Sequence, residues 1–249
     1  MMRMQKQAER FGANTRYAVT LTKADLHQRP FRLWADDELI ETKSLIIAVG
    51  ASHRHLDLPA EAALERKGVT YCATCDGALP MFRNQPLVVV GGGDSACEEA
   101  HYLTHFASRV YLIHRRDPLR ASKIMADRVL QHPKIELVWD SAVTDIRDVA
   151  QDKVTGVVLK NLKTNAVREL PCAGLFIAIG HVPSTDLFAG QVERAPDGYI
   201  LCRQGTATNI PGVFAAGDCV DRTYRQAVTA AGTGCAAAID CERWLAQQH

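Results

Sequence analysis

The stretch LVVVGGGDSACEEAHYLTHFASRVYLIHRRDPLRAS, residues 87–122, carries the clearest structural instruction in the chain. Leu87–Val90 is a short β-branched run, and the glycines Gly91 to Gly93 interrupt it. Ala96, Ala100, Leu103 and Phe106 then recur at helical spacing, and Val110–Ile113 is a second apolar run. The pattern predicts strand, turn, helix, strand. A G-x-G-x-x-A motif, made of Gly91, Gly93 and Ala96, falls on the turn from strand into helix. Glycine there lets the backbone come up against a pyrophosphate, and the free N–H groups of the helix start face its negative charge. A dinucleotide site on an α/β sheet is the expectation.

The end of the second strand selects the nucleotide. A site for NAD offers an Asp or Glu about 20 residues beyond the first glycine, to bind the ribose 2′-hydroxyl. This chain places His114, Arg115 and Arg116 there, with Arg120 close behind. Guanidinium groups match a phosphate bidentately, so the expected ligand is the 2′-phosphate of NADPH.

Just upstream lies YCATCDG, residues 71–77, with Cys72 and Cys75 two residues apart and Asp76 directly behind them. The chain has eight cysteines, and only this pair shows close motif spacing. A structural zinc site calls for two further ligands in a second C-x-x-C or H-x₃₋₅-H, and none follows. The nine histidines show no ligand spacing, so no metal site is expected. A C-x-x-C beside a βαβ pattern points to a dithiol that cycles with a disulfide.

Composition narrows the setting. The 249 residues are 47% hydrophobic and 23% charged, enough for one large or two modest globular domains. With 29 Lys and Arg against 28 Asp and Glu, the net charge of +1 offers no footprint for nucleic acid or an anionic membrane. No apolar run reaches the ~18 residues of a spanning helix, and the start reads as no secretory signal, so the expected compartment is the cytoplasm.

Two apolar strands repeat one design: Leu45–Gly50 (LIIAVG) and Leu175–Gly180 (LFIAIG), each preceded by a stretch suited to short antiparallel strands, Tyr17–Thr42 and Lys153–Leu170. Two nucleotide domains of one kind are implied. The interval from Gly91 to Gly180, counted back from Gly50, falls before residue 1, so the first domain is expected to lack its opening βαβ. Near the C-terminus, Val213–Ala215 reads as a strand, Gly217-Asp218 as a turn and Arg225 onward as an Ala-rich helix with small residues on one face. Small residues and a helix start suit a large flat cofactor, and an acid in the turn suits its hydroxyls, while the same residues equally fit an ordinary αβ corner.

Taken in order, CATCDG (72–77), GGGDSACEEA (91–100), HRRDPLRAS (114–122), AIGHVPST (178–185) and GVFAAGDCVDRTYRQAVTAAGTGCAAA (212–238) closely resemble the low-molecular-weight thioredoxin reductases of bacteria over essentially the whole chain. The resemblance implies an α/β protein of two Rossmann-like, three-layer domains. Residues 1–53 and 183–249 would form the FAD-binding domain, incomplete at its N-terminus, and residues 54–182 the NADPH-binding domain. It implies a homodimer that passes electrons from NADPH through FAD to thioredoxin. Cys72 and Cys75 would be the redox disulfide, the second cysteine next to the flavin and the first attacking the substrate. Asp76 would protonate a leaving thiolate. Gly91, Gly92, Gly93, Asp94 and Ser95 match the pyrophosphate loop, and Arg115, Arg116 and Arg120, with His114 beside them, the 2′-phosphate site. Gly217, Asp218, Arg225, Gln226 and Ala227 match C-terminal FAD contacts, and Ala48 and Gly50 the strand end beside the flavin. Rotation of the two domains is expected about hinges near Ser52–His55 and His181–Ser184.

The family opens with a further G-x-G-x-x-G unit that holds the FAD pyrophosphate, and this sequence starts after it. That departure leaves two other readings: an NADPH-binding module that holds no flavin, and a reductase of a different disulfide protein. Of the remaining cysteines, Cys97, Cys235 and Cys241 are expected as small buried hydrophobes on helices, and Cys172, Cys202 and Cys219 at loop or strand edges.

Overall fold

Alternation of apolar and polar residues lays down the first sheet. The computed structural model describes residues 2–248. Helix α1 (Met2–Arg10) precedes an antiparallel meander of β1 (Leu21–Asp25), β2 (Phe31–Ala35) and β3 (Glu38–Thr42). In β2, Phe31, Leu33 and Ala35 are buried while Arg32 and Trp34 are partly exposed, the period of two that a half-buried strand requires. The chain continues through β4 (Leu45–Ile47) and β5 (Ala51–His53).

Next come α2 (Pro59–Leu64), β6 (Val69–Thr70), α3 (Ala73–Asp76), β7 (Pro86–Val90), α4 (Asp94–Leu103), β8 (Arg109–Ile113), α5 (Lys123–Leu130) and β9 (Ile135–Val138). A second meander follows, β10 (Ser141–Ile146), β11 (Gly156–Asn161) and β12 (Val167–Pro171), then β13 (Gly174–Ile177) and β14 (His181–Pro183). The last elements are β15 (Val213–Ala215) and α6 (Ala227–Ala246).

Two compact units result, Met1–Ser52 with Val182–His249, and His53–His181. In the second, β6-β13-β7-β8-β9 form a parallel sheet in that order. Its strands are apolar on both sides because both faces are covered. Leu87, Val89, Val110, Leu112 and Phe176 pack on Ala96, Cys97, Ala100 and Leu103 of α4. Val88, Val90, Ile113, Leu175 and Ile177 pack on Val143, Ile146, Val157, Leu159 and Leu170 of the second meander. These are the three layers. Strand β7 has β8 and β9 on one side and β13 with β6 on the other, so its carboxyl end lies at the point where strand order reverses, the usual ligand crevice of such sheets.

In the first unit β4 pairs in parallel with β15, Ile47 opposite Ala215. Its core joins Phe31, Leu33, Ile47, Phe188, Val192, Ile200, Val213 and Cys219. Ile46 and Val49 remain exposed on and after β4.

Three local expectations need correction. Helix α4 stops at Leu103, and Phe106 lies in the turn beyond it. There the Thr104 hydroxyl donates back to the His101 carbonyl and Lys134 Nζ caps the carbonyls of Thr104 and Ala107. The C-terminal helix begins at Ala227, with Arg225 and Gln226 ahead of it. Arg225 has φ 48° and its N–H is held by the Asp221 carboxylate, a geometry that cannot continue a helix. Cys235, expected to be buried, is exposed, because α6 fully buries only Ala237. Cys97 is buried, and burial pushes its thiol up to about 11; Cys241 is half-buried with Sγ 3.2 Å from Ser44 Oγ.

Candidate active site and nucleotide loop

The three glycines after β7 have three different reasons to be glycine. Gly91 has φ 155°, and a Cβ there would stand 2.4 Å from the Ala178 carbonyl oxygen and 2.6 Å from the Ala96 Cβ. No side chain fits. A Cβ on Gly92 would stand 2.2 Å from the His114 ring. Gly93, the N-cap of α4, would have nothing within 4 Å of its Cβ, so its backbone is open to whatever approaches the helix start. This division, tight turn at the first glycine of the motif, open backbone at the second and close helix packing at Ala96, is what a dinucleotide pyrophosphate requires. The residues present fit that group.

The structure separates His114 from its arginine neighbours. Its side chain is 4% exposed, it lies beneath Gly92, and its Nε2 has no partner. Burial first, and then the charges of Arg120, Arg115 and Arg116, hold its pKa below the ordinary histidine value. It is a buried wedge under the loop, whereas Arg115, Arg116 and Arg120 are exposed. The arginine segment is tied to the glycine loop, Arg120 N–H donating to the Gly92 carbonyl at 2.7 Å. Asp94 accepts from the N–H and the hydroxyl of Ser122 at 2.8 and 2.7 Å, and these two bonds lower its pKa. Ser95 is exposed in the first turn of α4.

The cysteine pair sits in the same unit. Cys72 is the N-cap of α3 and is bonded to Cys75, with 5.3 Å between their Cα atoms. The Cys72 sulfur accepts the Cys75 N–H at 3.2 Å and lies 3.3 Å from Thr74 Oγ1. Cys75 is the more exposed of the two. Asp76 closes α3, and its carboxylate accepts the hydroxyl of Thr70, whose oxygen in turn accepts the Cys72 N–H at 3.3 Å. Thr70 is 6% exposed, so this hydroxyl links the acid to the first cysteine from inside the fold.

Tyr71 belongs to a neighbouring polar cluster. Glu61, 2% exposed, accepts the Tyr71 hydroxyl at 2.8 Å and the Leu56 N–H at 2.9 Å, and its Oε1 lies 3.0 Å from His55 Nδ1. Burial and the Glu61 carboxylate drive the Tyr71 hydroxyl well above its usual range. The His53 ring stacks on Tyr71 with centroids 4.6 Å apart, and His53 Nδ1 is 2.9 Å from His181 Nε2.

In the other unit, Gly50 has φ 70° and Gly217 φ 75°, both with open or loosely occupied space at Cβ. Ala48 and Ala227 are exposed, and Asp218, Arg225 and Gln226 half-exposed. Arg225 donates to the Arg222 carbonyl and Gln226 caps α6. Gly232, Gly234 and Ala237 repeat the G-x-G-x-x-A spacing but lie inside α6, where they open no phosphate loop. Among the described residues of this unit, the Asp218 turn, the start of α6 and its exposed small residues are what suits a flat cofactor.

Sequence reasoning missed Thr70, Glu61 and the Asp94–Ser122 pair. Each depends on a partner between 6 and 28 positions away. No short-range pattern encodes such a pairing.

A parallel sheet whose glycine turn meets a basic loop, with a C-x-x-C disulfide in the same unit, defines a nucleotide-dependent disulfide oxidoreductase. The sequence profile of the family described as pyridine nucleotide-disulphide oxidoreductase matches residues 2–234, and the chain belongs to that family. A thioredoxin reductase of Debaryomyces hansenii is 49% identical over 100% of this chain and 78% of its own length. The mitochondrial thioredoxin reductase 1 of Arabidopsis thaliana is 48% identical over 98% of this chain, which spans 66% of that relative. The solved thioredoxin reductase of Giardia duodenalis superposes with a TM-score of 0.89 at 45% identity, covering 98% of this chain and 80% of the other. Within the family the chain is of the thioredoxin reductase type, an NADPH-dependent disulfide reductase.

Proposed function

We propose that this chain reduces the disulfide of oxidised thioredoxin with electrons from NADPH, relayed by FAD to the Cys72–Cys75 pair. The observation that carries the reading is a formed disulfide at Cys72 and Cys75 in the same unit as the glycine and arginine loops. Gly91, Gly92, Gly93 and Ser95 receive the pyrophosphate, and Arg115, Arg116 and Arg120 the 2′-phosphate, with His114 supporting the loop from below. Residues 54–182 form the NADPH-binding domain, and residues 1–53 and 183–249 the parts of the FAD-binding domain that this chain contributes. Ala48, Gly50, Gly217, Asp218, Arg225, Gln226 and Ala227 are the residues that would hold the flavin. A bound flavin supplies the exchange between hydride and thiol chemistry.

The chain's own chemistry follows from thiol exchange. With the pair reduced, the Cys72 thiolate attacks one sulfur of the substrate disulfide and releases the other as a thiolate, which Asp76 protonates. Cys75 then attacks Cys72, restoring the internal disulfide and freeing the second substrate thiol. The substrate gains two electrons and two protons. The chain crosses between its units at 52/53 and 181/182, where a rotation would be taken up. A homodimer and a cytoplasmic location complete the proposal. Among the described residues no helix is long and apolar enough to cross a membrane.

The test is the visible spectrum of the 249-residue chain incubated with excess FAD, followed by NADPH and then oxidised thioredoxin. Bound flavin that bleaches with NADPH and recovers with thioredoxin supports the relay. Colourless protein that still binds NADPH replaces it with a nucleotide-binding module, and recovery only with another disulfide protein changes the acceptor.

A further inference from the structure

The segment 114–122 presents its arginines without helix or strand of its own. Exposed guanidinium groups select a phosphate only when they are held where it arrives, because ordering them on binding lowers affinity. Its upstream end is fastened by His114 N–H to the Val138 carbonyl at 3.0 Å and by Ser141 N–H to the His114 carbonyl at 3.1 Å. Its downstream end is fastened to the glycine loop, by Arg120 N–H on Gly92 and by the two bonds from Ser122 to Asp94 Oδ1.

A carboxylate is a poor choice for touching a pyrophosphate, since like charges repel. In the structure Asp94 has a different occupation: its oxygen takes both donors of Ser122, 28 positions away. We propose that Asp94 is a positioning residue that determines nucleotide specificity. Through Ser122 it fixes the arginine segment relative to the glycine loop, so that one geometry meets the pyrophosphate and the 2′-phosphate of the same molecule. The inference rests on the nucleotide site proposed above and refines the role of Asp94 within it.

The test compares NADP⁺ and NAD⁺, which differ only in the 2′-phosphate, by calorimetric titration of the full chain. Asp94→Ala is expected to weaken NADP⁺ about tenfold and NAD⁺ less than twofold, as loss of one charge-assisted clasp would. Asp94→Asn, whose amide oxygen accepts the same two bonds, should keep the wild-type preference within about threefold. Ser122→Ala removes one exposed hydroxyl at the N-cap of α5, keeps the backbone N–H on Asp94, and should lower the preference about threefold. Equal weakening of both nucleotides, or a preference unchanged in Asp94→Ala and Ser122→Ala, overturns the proposal. Arg116→Ala separates the two layers: if it leaves NADP⁺ binding intact, the nucleotide site itself is misplaced and the clasp falls with it. If it weakens NADP⁺ while the Asp94 and Ser122 variants do not, the clasp alone is wrong.

Discussion

Adding one methyl group at Gly91 or at Gly93 should produce opposite failures. At Gly91 the methyl would meet the Ala178 carbonyl at 2.4 Å and the Ala96 Cβ at 2.6 Å, on a backbone with φ 155°. Neither neighbour can swing away, because one is backbone and the other a buried alanine of α4. Overpacking costs about 1–3 kcal/mol and the glycine-only backbone region about 1–3 kcal/mol more. A domain holds about 5–15 kcal/mol in total, so Gly91→Ala should lower the melting temperature by roughly 5–15 °C or prevent folding. At Gly93 φ is −95° and the methyl meets nothing within 4 Å. The cost there is about 1 kcal/mol or less, the difference between glycine and alanine at an N-cap. On the proposed placement, the same methyl would stand where the pyrophosphate approaches. Losing one charge-assisted hydrogen bond costs about 1.5–3 kcal/mol, or roughly 10- to 150-fold in affinity. Calorimetric melting and NADPH titration of both variants measure the two effects separately. Wild-type NADPH affinity in Gly93→Ala would refute the placement of the pyrophosphate, and an unshifted melt in Gly91→Ala would refute the packing.

Other consequences are equally direct. Glu61→Ala takes the acceptor from the half-buried Leu56 N–H and leaves the Tyr71 hydroxyl with His55 Nδ1 alone, and should cost about 1–3 kcal/mol in urea unfolding, with Glu61→Gln closer to wild type. Because burial holds the His114 pKa in the fold below that of the unfolded chain, the unfolded chain takes up a proton first, so the stability contribution is full above about pH 6.5 and is lost as pH falls below that value. Wild type should therefore lose stability relative to His114→Asn between pH 7.5 and 5.5, by less than about 1.4 kcal/mol per pH unit; parallel curves would contradict the burial. Thr70→Val removes the hydroxyl shared by Asp76 and the Cys72 N–H, and should shift the pH profile of alkylation of the reduced pair, whereas Thr70→Ser should restore it. Cys75→Ser should stop turnover and leave Cys72 able to hold thioredoxin in a mixed disulfide seen on non-reducing gels.

Residues 87–122 by themselves determined the core of the second unit, because strand, turn and helix there are set by contacts within a few positions. Periodicity placed β7 and β8, and the G-x-G-x-x-A spacing placed the turn, with a glycine at each position where the structure leaves no room or needs open backbone. The Cys72 and Cys75 pair was legible for the same reason: a spacing of three along one short helix brings the sulfurs together without outside help. The tertiary structure alone decided which residues serve those elements. His114 reads in sequence as one more basic group beside Arg115 and Arg116, yet backbone bonds to Val138 and Ser141 hold it under Gly92, where it is buried. Asp94 reads as part of a phosphate loop, yet chain return brings Ser122 onto it. Cys235 reads as a core residue, yet α6 leaves it exposed. Local sequence fixes dihedral angles and spacing, whereas burial and hydrogen-bond partners arise from long-range packing, which a pattern of neighbours does not contain.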